Sequence, residues 1–359
     1  IQSSEVWKAS GHLAEFSDPM VDYKPTGERF RADQVPDDLK KEDLTEPRHF
    51  NLMFETNIGP VKNENSAVYL RPETAQGIFV NFENVLRTMR AKLPFGIANI
   101  GKSFRNEITP GQFIFRTREF EQMEIEFFCK EEDQEHWFNF WIKKRLEWYK
   151  SLGISEDKLR IRTHEEGELA HYASKTSDIE FMYPWGWGEL EGIANRGTFD
   201  LTSHERESGK DLTYFDPESN EKINPVVIEP AGGLTRTLFA ILCSNYDEDT
   251  VNDTTRTLFR FNFDIAPIQI AILPLSKKDN LINISKEIKN NLQKSFRTEI
   301  DLTQSIGKRY RRQDEIGTPY CITVDFETVD DKSVTIRNRD TMDQERVEIN
   351  KLNHYFENI

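Results

Sequence analysis

The sequence predicts an α+β domain built on an antiparallel sheet, followed by a small α/β domain with a mixed sheet. In the first part, the strand-like segments 96–107 and 113–128 flank the turn signal Pro110-Gly111, which indicates a hairpin. After residue 264, short apolar strands alternate with helical segments, as in a sheet covered by helices. We therefore expect one domain over residues 1–263 and a second over residues 264–359.

The elements of the first domain follow from punctuation and periodicity. The acidic stretch 33–46 indicates loops. A helix is predicted after Pro72, because apolar residues recur there at helical spacing: Ile78, Phe82, Val85, Leu86 and Met89. We also expect helix 136–151, whose aromatic stripe is typical of core packing, strands 179–183, 188–194 and 225–229, and helix 234–244.

The second domain begins after a polar connection. Residues 247–263 are expected to form this connection, with a short helical run inside it. The segments that follow are predicted as strand 268–273, helix 281–296, strand 297–302, helix 305–316, and strands 320–324, 333–338 and 345–349.

The composition is that of an ordinary globular protein. The 359 residues are 37% hydrophobic and 30% charged, and no apolar run approaches the ~18 residues that a membrane helix requires. The net charge of −15 is concentrated before residue 264, since the second domain is close to neutral. A nucleic-acid partner is therefore expected to meet local basic patches and not the field of the whole chain.

Cysteine and histidine spacing indicates neither disulfides nor a metal site. Cys129, Cys243 and Cys321 lie far apart, as expected of thiols in a reducing cytoplasm. His164 and His171 fit no ligand pattern, and we expect both to be surface or hydrogen-bonded polar residues.

The segment 104–124 carries the chemistry of the first domain. Side chains alternate across a strand, so Arg105 and Glu107 are expected on one face of the first hairpin strand. One face of the second strand would hold Arg116, Arg118, Phe120, Gln122 and Glu124. Such a face suits a triphosphate, a stacked base and an ammonium group. The alternative is a solvated sheet face, where mixed charges are common.

Several segments resemble those of a known family. The pattern Phe-Arg-x-Glu, a loop, then Arg-x-x-x-Phe-x-x-x-Glu within 104–124 resembles motif 2 of the class II aminoacyl-tRNA synthetases. Four further segments are similar to the dimeric glycyl-tRNA synthetases: VWKASGHLAEFSDPM (6–20), RPETAQG (71–77), WGELEGIANR (187–196) and VIEPAGGLTR (227–236). The resemblance implies a homodimer. It also places the family's motif 1 before Val6, so we expect an N-terminal piece to be missing.

The resemblance implies an enzyme that ligates glycine to its tRNA in two steps. Glycine and ATP with Mg²⁺ would form glycyl-adenylate, and glycine would then pass to the 3′-hydroxyl of the terminal adenosine of tRNA-Gly. It further implies a cytoplasmic location, no tightly bound cofactor and no zinc. One alternative is a synthetase for serine, threonine or proline, against which RPETAQG and WGELEGIANR argue. The other alternative is a non-catalytic accessory protein of the same fold. Such a protein can lack the phosphate-binding arginines, whereas this chain has Arg105, Arg116 and Arg236.

The resemblance also implies roles in binding ATP. Arg105 would bridge the amino-acid carboxylate and the α-phosphate, because a guanidinium donates in a planar, bidentate way. Arg236 would clamp the terminal phosphate from a first helical turn, and Glu189 would contact a phosphate-bound magnesium. Arg105, Arg236 and Glu229 are implied to be catalytic. The ATP set is Arg105, Asn106, Glu107, Phe115, Arg116, Thr117, Arg118, Glu119, Phe120, Glu189, Leu190, Gly233, Leu234, Thr235 and Arg236.

For glycine, the family positions are three carboxylates around the substrate ammonium, Glu73, Glu124 and Glu229, which would exclude larger side chains. The full implied set is Arg31, Glu73, Phe120, Glu121, Gln122, Met123, Glu124, Glu229, Pro230, Ala231, Gly232 and Gly233. The family usually has serine where this chain has Ala231. Water or backbone would therefore replace that hydroxyl.

The second domain resembles the anticodon-binding domain shared by several class II synthetases. Its densest positive cluster lies on helix 305–316 and consists of Lys308, Arg309, Arg311 and Arg312. The resemblance implies that these side chains meet tRNA phosphates near the anticodon. The alternative is a solvated basic helix face.

Overall fold

Six strands in the first part of the chain form one sheet in which every neighbouring pair is antiparallel, as the sequence predicts. The structure is a computed structural model that describes residues 1–61, 66–217, 219–251 and 253–359. The chain folds into two compact units. The first comprises Ile1–Trp148 and Glu156–Ala240, and the second Tyr149–Ser155 and Ile241–Ile359.

The strands of the first unit are β1 (Gln2–Ser3), β2 (Ser17–Tyr23), β3 (Glu28–Arg31), β4 (Arg48–Asn51), β5 (Glu55–Asn57), β6 (Ala67–Tyr69), β7 (Phe95–Phe104), β8 (Glu119–Cys129), β9 (Leu159–Thr163), β10 (Lys175–Tyr183), β11 (Gly186–Gly197), β12 (Tyr214–Asp216), β13 (Glu221–Ile223) and β14 (Val226–Gly233). The helices that begin in it are α1 (Ser4–Ala9), α2 (His12–Glu15), α3 (Ala75–Val80), α4 (Phe82–Met89), α5 (Gln134–Ser151), α6 (Phe199–Ser208) and α7 (Leu234–Asn245). The central sheet has the order β7-β8-β14-β11-β10-β9, and the small sheets are β1-β6-β5, β3-β2-β4 and β12-β13.

Helices pack on both faces of the central sheet, because successive side chains of β8 point to opposite faces. Phe128 is fully buried against Phe79 of α3 and Phe82 of α4. Phe127 points to the other face and contacts Trp137 and Trp141 of α5, so the aromatic stripe does pack a core. Apolar packing on both faces fixes the register of β8, since a slip by one residue would exchange the two sets.

The predicted hairpin is present, but its second strand begins later than expected. β7 ends at Phe104, which pairs with Glu119 at the start of β8. The prediction of strand 113–128 is therefore wrong over its first six residues. The physical reason is that Gln112 and Phe113 both have φ of +57°, which a regular strand does not contain. The loop between the strands carries four residues expected on strand faces: Arg105, Glu107, Arg116 and Arg118. The helix predicted after Pro72 likewise begins only at α3 and continues as α4.

The second unit is built on a five-stranded mixed sheet, as the sequence predicts. Its elements are β15 (Tyr246–Val251), β16 (Thr254–Phe259), β17 (Ile270–Pro274), α8 (Asp279–Leu292), β18 (Thr298–Ile300), α9 (Ile306–Ile316), β19 (Tyr320–Val324), α10 (Thr328–Asp331), β20 (Ser333–Asn338), β21 (Gln344–Glu348) and α11 (Leu352–Glu357). The order is β18-β17-β19-β20-β21, with β17 parallel to both neighbours. Leu281 of α8 and Phe356 of α11 pack against Ile272 and Ile322 in its core.

The connection predicted as polar with a short helical run is instead the hairpin of β15 and β16. Arg256, which is 1% exposed, lies opposite Asp249 across this pair and donates to its carboxylate. It also donates to Asp314 of α9 at 3.3 Å. Opposite charges that face each other across two strands stabilise the pairing. Charged residues of this segment therefore make cross-strand contacts.

We expect Phe128→Ala to lower the free energy of unfolding by about 3–5 kcal/mol, because it removes a buried ring and leaves a cavity. Urea unfolding followed by circular dichroism measures the change. The matched control is Phe215→Ala, whose side chain is 52% exposed and should cost far less. Equal losses for both variants would contradict the placement of Phe128 in the core.

Candidate active site

The register of the central sheet brings polar side chains from neighbouring strands together. Glu124 of β8 pairs with Ala231 of β14 on one side and with Asn99 of β7 on the other. Gln122 lies two residues before Glu124, and Glu229 two residues before Ala231, so both share the same face. Two cavities open on this face, and they share part of their lining.

The first cavity, of about 80 Å³, lies among the loop after β7, strand β8 and the start of α7. It continues past Arg116, Glu189 and Arg236 into a wider cleft of about 610 Å³ that Trp185 and Trp187 also line. The first cavity is lined by most of the residues that the resemblance implies for ATP: Arg105, Glu107, Phe115, Arg116, Thr117, Phe120, Glu189, Gly233, Thr235 and Arg236. Ile114, Glu121, Gln122 and Ala231 also line it. Three guanidinium groups around one cavity suit the oxygens of phosphate groups.

Backbone and side-chain contacts hold two of these arginines in place. The Nε of Arg105 donates to the carbonyl of Pro72 at 3.0 Å, and its guanidinium lies 5.4 Å from the centre of the Phe120 ring. Arg236 donates to the carbonyl of Phe115 at 3.2 Å and to the carboxylate of Glu189 at 3.1 Å. Both side chains are therefore oriented before any ligand arrives, which lowers the cost of binding one.

The loop after β7 is braced by its own charges. Arg116 donates to the carboxylate of Glu107 at 3.2 Å, and Arg118 donates twice to the Glu107 carbonyl, at 3.1 and 3.2 Å. The lining of the first cavity includes Glu107 and Arg116. Arg118 does not line this cavity and stabilises the loop through its bonds to the Glu107 carbonyl.

The second cavity, of about 240 Å³, is lined by the three predicted carboxylates, Glu73, Glu124 and Glu229. It shares Arg105, Gln122, Glu189 and Ala231 with the first cavity. Its floor carries small residues, Gly192 and Ala194 beside Ala231. The arrangement suits a small cationic group beside an anionic one.

A buried cation, Arg196, holds the carboxylates together. Arg196 is 1% exposed; it donates to both oxygens of Asp200 at 2.7 and 2.8 Å and to Glu229 at 2.7 Å. Its guanidinium lies 3.8 Å from the centre of the Tyr172 ring. The pairing of β11 with β14 skips Arg196, and a bulge of this kind re-aims a side chain. The bulge therefore directs this arginine at the carboxylates.

Neighbours from other elements orient the remaining carboxyl groups. Glu73 accepts from Gln76 at 3.0 Å and lies 3.2 Å from the Nε2 of His12. Glu124 accepts from the backbone N–H of Thr74 at 2.7 Å. No role is predicted from the sequence for His12, Gln76 or Arg196, although all three lie in the segments that resemble the family. Their signal was a histidine, an amide and an arginine within otherwise apolar or glycine-containing runs.

Burial and crowding give the carboxyl groups different pKa values. Burial opposes ionisation of Glu73, but His12 and Arg196 outweigh it and hold the pKa of Glu73 below its usual value. Burial, reinforced by the nearby Glu73 and Glu229, raises the pKa of Glu124 to about 8. At neutral pH, Glu124 therefore retains a proton that an incoming cation would displace.

Several predicted residues lie outside the two cavities, within the part of the chain that the structure describes. Strand alternation explains four of them, since Met123, Leu190, Pro230 and Gly232 follow or precede residues that face the cavities. Arg31 donates to Asp33 at 2.7 Å. The full set is Arg31, Asn106, Arg118, Glu119, Met123, Leu190, Pro230, Gly232 and Leu234.

The basic helix of the second unit is α9, and its charges differ in exposure. Lys308 is exposed and Arg311 is half-buried. Arg309 is 4% exposed and donates to the carbonyls of Pro274 and Asp301 at 2.7 and 3.0 Å. Arg312 donates to the carboxylate of Asp301 at 2.9 Å. The expectation that all four meet phosphates is therefore not supported for Arg309, which fastens α9 to the sheet.

Across residues 1–61, 66–217, 219–251 and 253–359, no three His, Cys, Asp or Glu side chains are grouped so that they would hold a metal ion. Over the same ranges, no helix combines the length and apolar character needed to cross a bilayer.

Comparison with family sequence models identifies the class. The model for the tRNA synthetase class II core domain (G, H, P, S and T) matches residues 54–245, and the model for the anticodon binding domain matches residues 269–359. The antiparallel sheet, the arginine-lined cavity and the mixed-sheet second unit are thus those of a class II aminoacyl-tRNA synthetase.

Individual relatives narrow this class to one family. The chain is 49% identical to the glycine–tRNA ligase of Caldanaerobacter subterraneus over 389 aligned residues, which include 99% of this chain and 84% of the relative. It is 51% identical to the glycine–tRNA ligase of Ruminiclostridium cellulolyticum over 391 aligned residues, with 100% and 84% covered. Both alignments are longer than this chain's 359 residues, so the relatives have additional internal positions. The chain belongs to the glycine–tRNA ligase family.

The raised pKa of Glu124 predicts a pH-dependent stability. The folded protein binds a proton that the unfolded chain releases above its usual pKa of 4.5, so this contribution is complete below that pH. It is lost as the pH rises through about 8. We expect the stability of the wild type relative to Glu124→Gln to fall by up to about 1.4 kcal/mol per pH unit in that interval.

Urea unfolding at several pH values measures this difference. Glu121→Gln is the matched control, because Glu121 is an exposed carboxylate on the same strand. A wild-type stability that follows Glu124→Gln in parallel from pH 5 to pH 8 would show that Glu124 titrates normally.

Proposed function

We propose that this chain ligates glycine to its cognate tRNA in two steps. Glycine and ATP form glycyl-adenylate with release of pyrophosphate, and glycine then passes to the 3′-hydroxyl of the terminal adenosine of tRNA-Gly. Membership of the glycine–tRNA ligase family supports this proposal. One observation in the site carries it. Arg105 lies on the wall shared by the first cavity, which is lined by arginines, and the second cavity, the carboxylate-lined cleft of Glu73, Glu124 and Glu229.

The shared wall is where the first step takes place in this proposal. The glycine carboxylate must approach the α-phosphorus of ATP, and both groups are anionic. Arg105 faces both cavities, so its guanidinium can neutralise the two groups at their meeting point. Arg236 and Arg116 would bind the outer phosphates, and Phe120 would stack on adenine. Positioning and fixed positive charge supply most of the catalysis in such chemistry.

Glycine is selected in this proposal by charge and by the cavity walls next to its α-carbon, which a side chain would meet. Its ammonium would lie among Glu73, Glu124 and Glu229, where it favours the ionised form of Glu124. A larger amino acid would direct its side chain at the cleft walls, and steric exclusion discriminates more strongly than a missing contact. Ala231 presents a methyl group at the floor, so no side-chain hydroxyl contacts glycine there.

Further parts of the proposal concern magnesium, assembly, location and domain roles. Mg²⁺ would arrive with ATP, and the 52% exposed carboxylate of Glu189 beside Arg236 fits an ion held mainly by phosphate oxygens. The motifs of the dimeric glycyl-tRNA synthetases support a homodimer, and a role in translation supports the cytoplasm. We assign aminoacylation to residues 1–263 and anticodon binding to residues 264–359.

Amino-acid-dependent ATP–pyrophosphate exchange tests the first step, with all twenty amino acids assayed separately. We expect exchange with glycine alone. Arg105→Ala and Arg236→Ala should each lower it by at least ~100-fold, because each removes preorganised positive charge from the transition state. Arg206→Ala, whose arginine is 68% exposed, is the matched control. Exchange with serine, or variants within a few-fold of wild type, would contradict the assignment.

Lys308→Glu tests the role of α9 in tRNA binding. We expect weaker binding of tRNA-Gly and a salt dependence whose slope falls by ~1 for each lost phosphate contact. Lys286→Glu is the matched control, since Lys286 is an exposed lysine on α8. Arg309 is unsuitable for this test, because its removal would take a donor away from two buried carbonyls. Unchanged affinity and slope for Lys308→Glu would place the tRNA contact elsewhere.

A further inference from the structure

The carboxylate-lined cleft has more space than glycine needs, and its far wall carries a histidine–aspartate pair. The cleft measures about 240 Å³. A water molecule occupies roughly 30 Å³ in the liquid, so the five non-hydrogen atoms of glycine leave room for another reacting group. His164 and Asp178 line this space together with Glu73 and Glu124. From the sequence alone, His164 is expected to be a surface or hydrogen-bonded polar residue.

The geometry of the pair leaves one ring nitrogen available. The Nε2 of His164 lies 2.7 Å from Oδ2 of Asp178, and Asp178 is 7% exposed. The backbone N–H of His164 donates to the carbonyl of Thr176 at 3.0 Å. This bond continues the pairing of β9 with β10 by one residue. An aspartate oxygen accepts the hydrogen on Nε2, so Nδ1 keeps its lone pair. In the described residues Nδ1 has no hydrogen-bond partner.

We propose that His164 accepts the proton of the terminal ribose hydroxyl during glycyl transfer, and that Asp178 positions its ring. This inference rests on the proposed function. The ribose oxygen would form an ester bond with the carbonyl carbon of glycyl-adenylate, and the bond from that carbon to the phosphate oxygen would break. The bonding electrons leave with AMP. The hydroxyl proton moves to Nδ1 of His164 and then to solvent.

The charges around the pair are compatible with this role. Arg162 of β9 lies 3.9 Å from Asp178 and forms an ion pair with Glu168. Burial, reinforced by Glu189 of β11, raises the pKa of Asp178 to about 6. Asp178 is therefore mostly ionised at neutral pH and stabilises a protonated imidazole. Glu189 is in turn paired with Arg236.

Single-turnover transfer from enzyme-bound glycyl-adenylate to tRNA-Gly tests the inference, with ATP–pyrophosphate exchange as the reference rate. We expect His164→Ala and His164→Gln to lower the ratio of transfer to exchange by ~100-fold, the usual size of a general-base contribution. His136→Ala, which removes an exposed histidine from α5, is the control and should leave the ratio unchanged. A ratio within threefold of wild type for both His164 variants would assign the proton to another acceptor and overturn the inference.

The pH profile of Asp178→Asn separates positioning from a purely structural role. Loss of the negative neighbour should move the midpoint of the transfer rate to lower pH and lower its plateau, because the imidazolium is no longer stabilised. An equal decrease at every pH would contradict the role given to Asp178. A wild type that lacks glycine-dependent exchange would instead refute the proposed function, so the two failures are distinguishable.

Discussion

The site depends on the buried guanidinium of Arg196. Without a counter-charge, the clustered carboxyl groups around it would repel one another, and burial would keep them protonated. Arg196 binds both oxygens of Asp200 and one of Glu229, so a single cation compensates more than one anion. Buried charges are tolerated when paired and hydrogen-bonded in this way. The negative charge that remains is what attracts an ammonium group to the cleft.

A second requirement is the packing that positions these charges. Phe128 on one face of β8 and Phe127 on the other fix the strand against α3, α4 and α5. The same register places Glu124 opposite Ala231, where a carboxyl group and a small side chain meet. Apolar packing toward the C-terminal end of β8 therefore determines which polar groups face the substrate.

The sequence allowed the sheet architecture and much of the site to be predicted, because strand alternation is a local rule. Gln122 and Glu124 share a face as expected, and Glu229 and Ala231 follow the same rule on β14. The rest depended on contacts between distant residues. The hairpin of β15 and β16 is stabilised by Arg256, which also reaches Asp314 in α9. Likewise, the burial of Arg309 cannot be inferred from a basic helix pattern, because carbonyls on other segments accept from it.

The register of the central sheet also limits how the family can change in length. Adding one residue inside β8 or β14 would move every carboxylate beyond it to the opposite face, among the tryptophans of α5. The additional internal positions of the relatives are therefore expected outside these two strands, where an insertion leaves their pairing intact. Length variation in this family is thus expected to alter surface loops, while the first and second cavities keep their dimensions. Among divergent members, the spacing of residues within these two strands should be a more dependable guide to amino-acid preference than overall chain length.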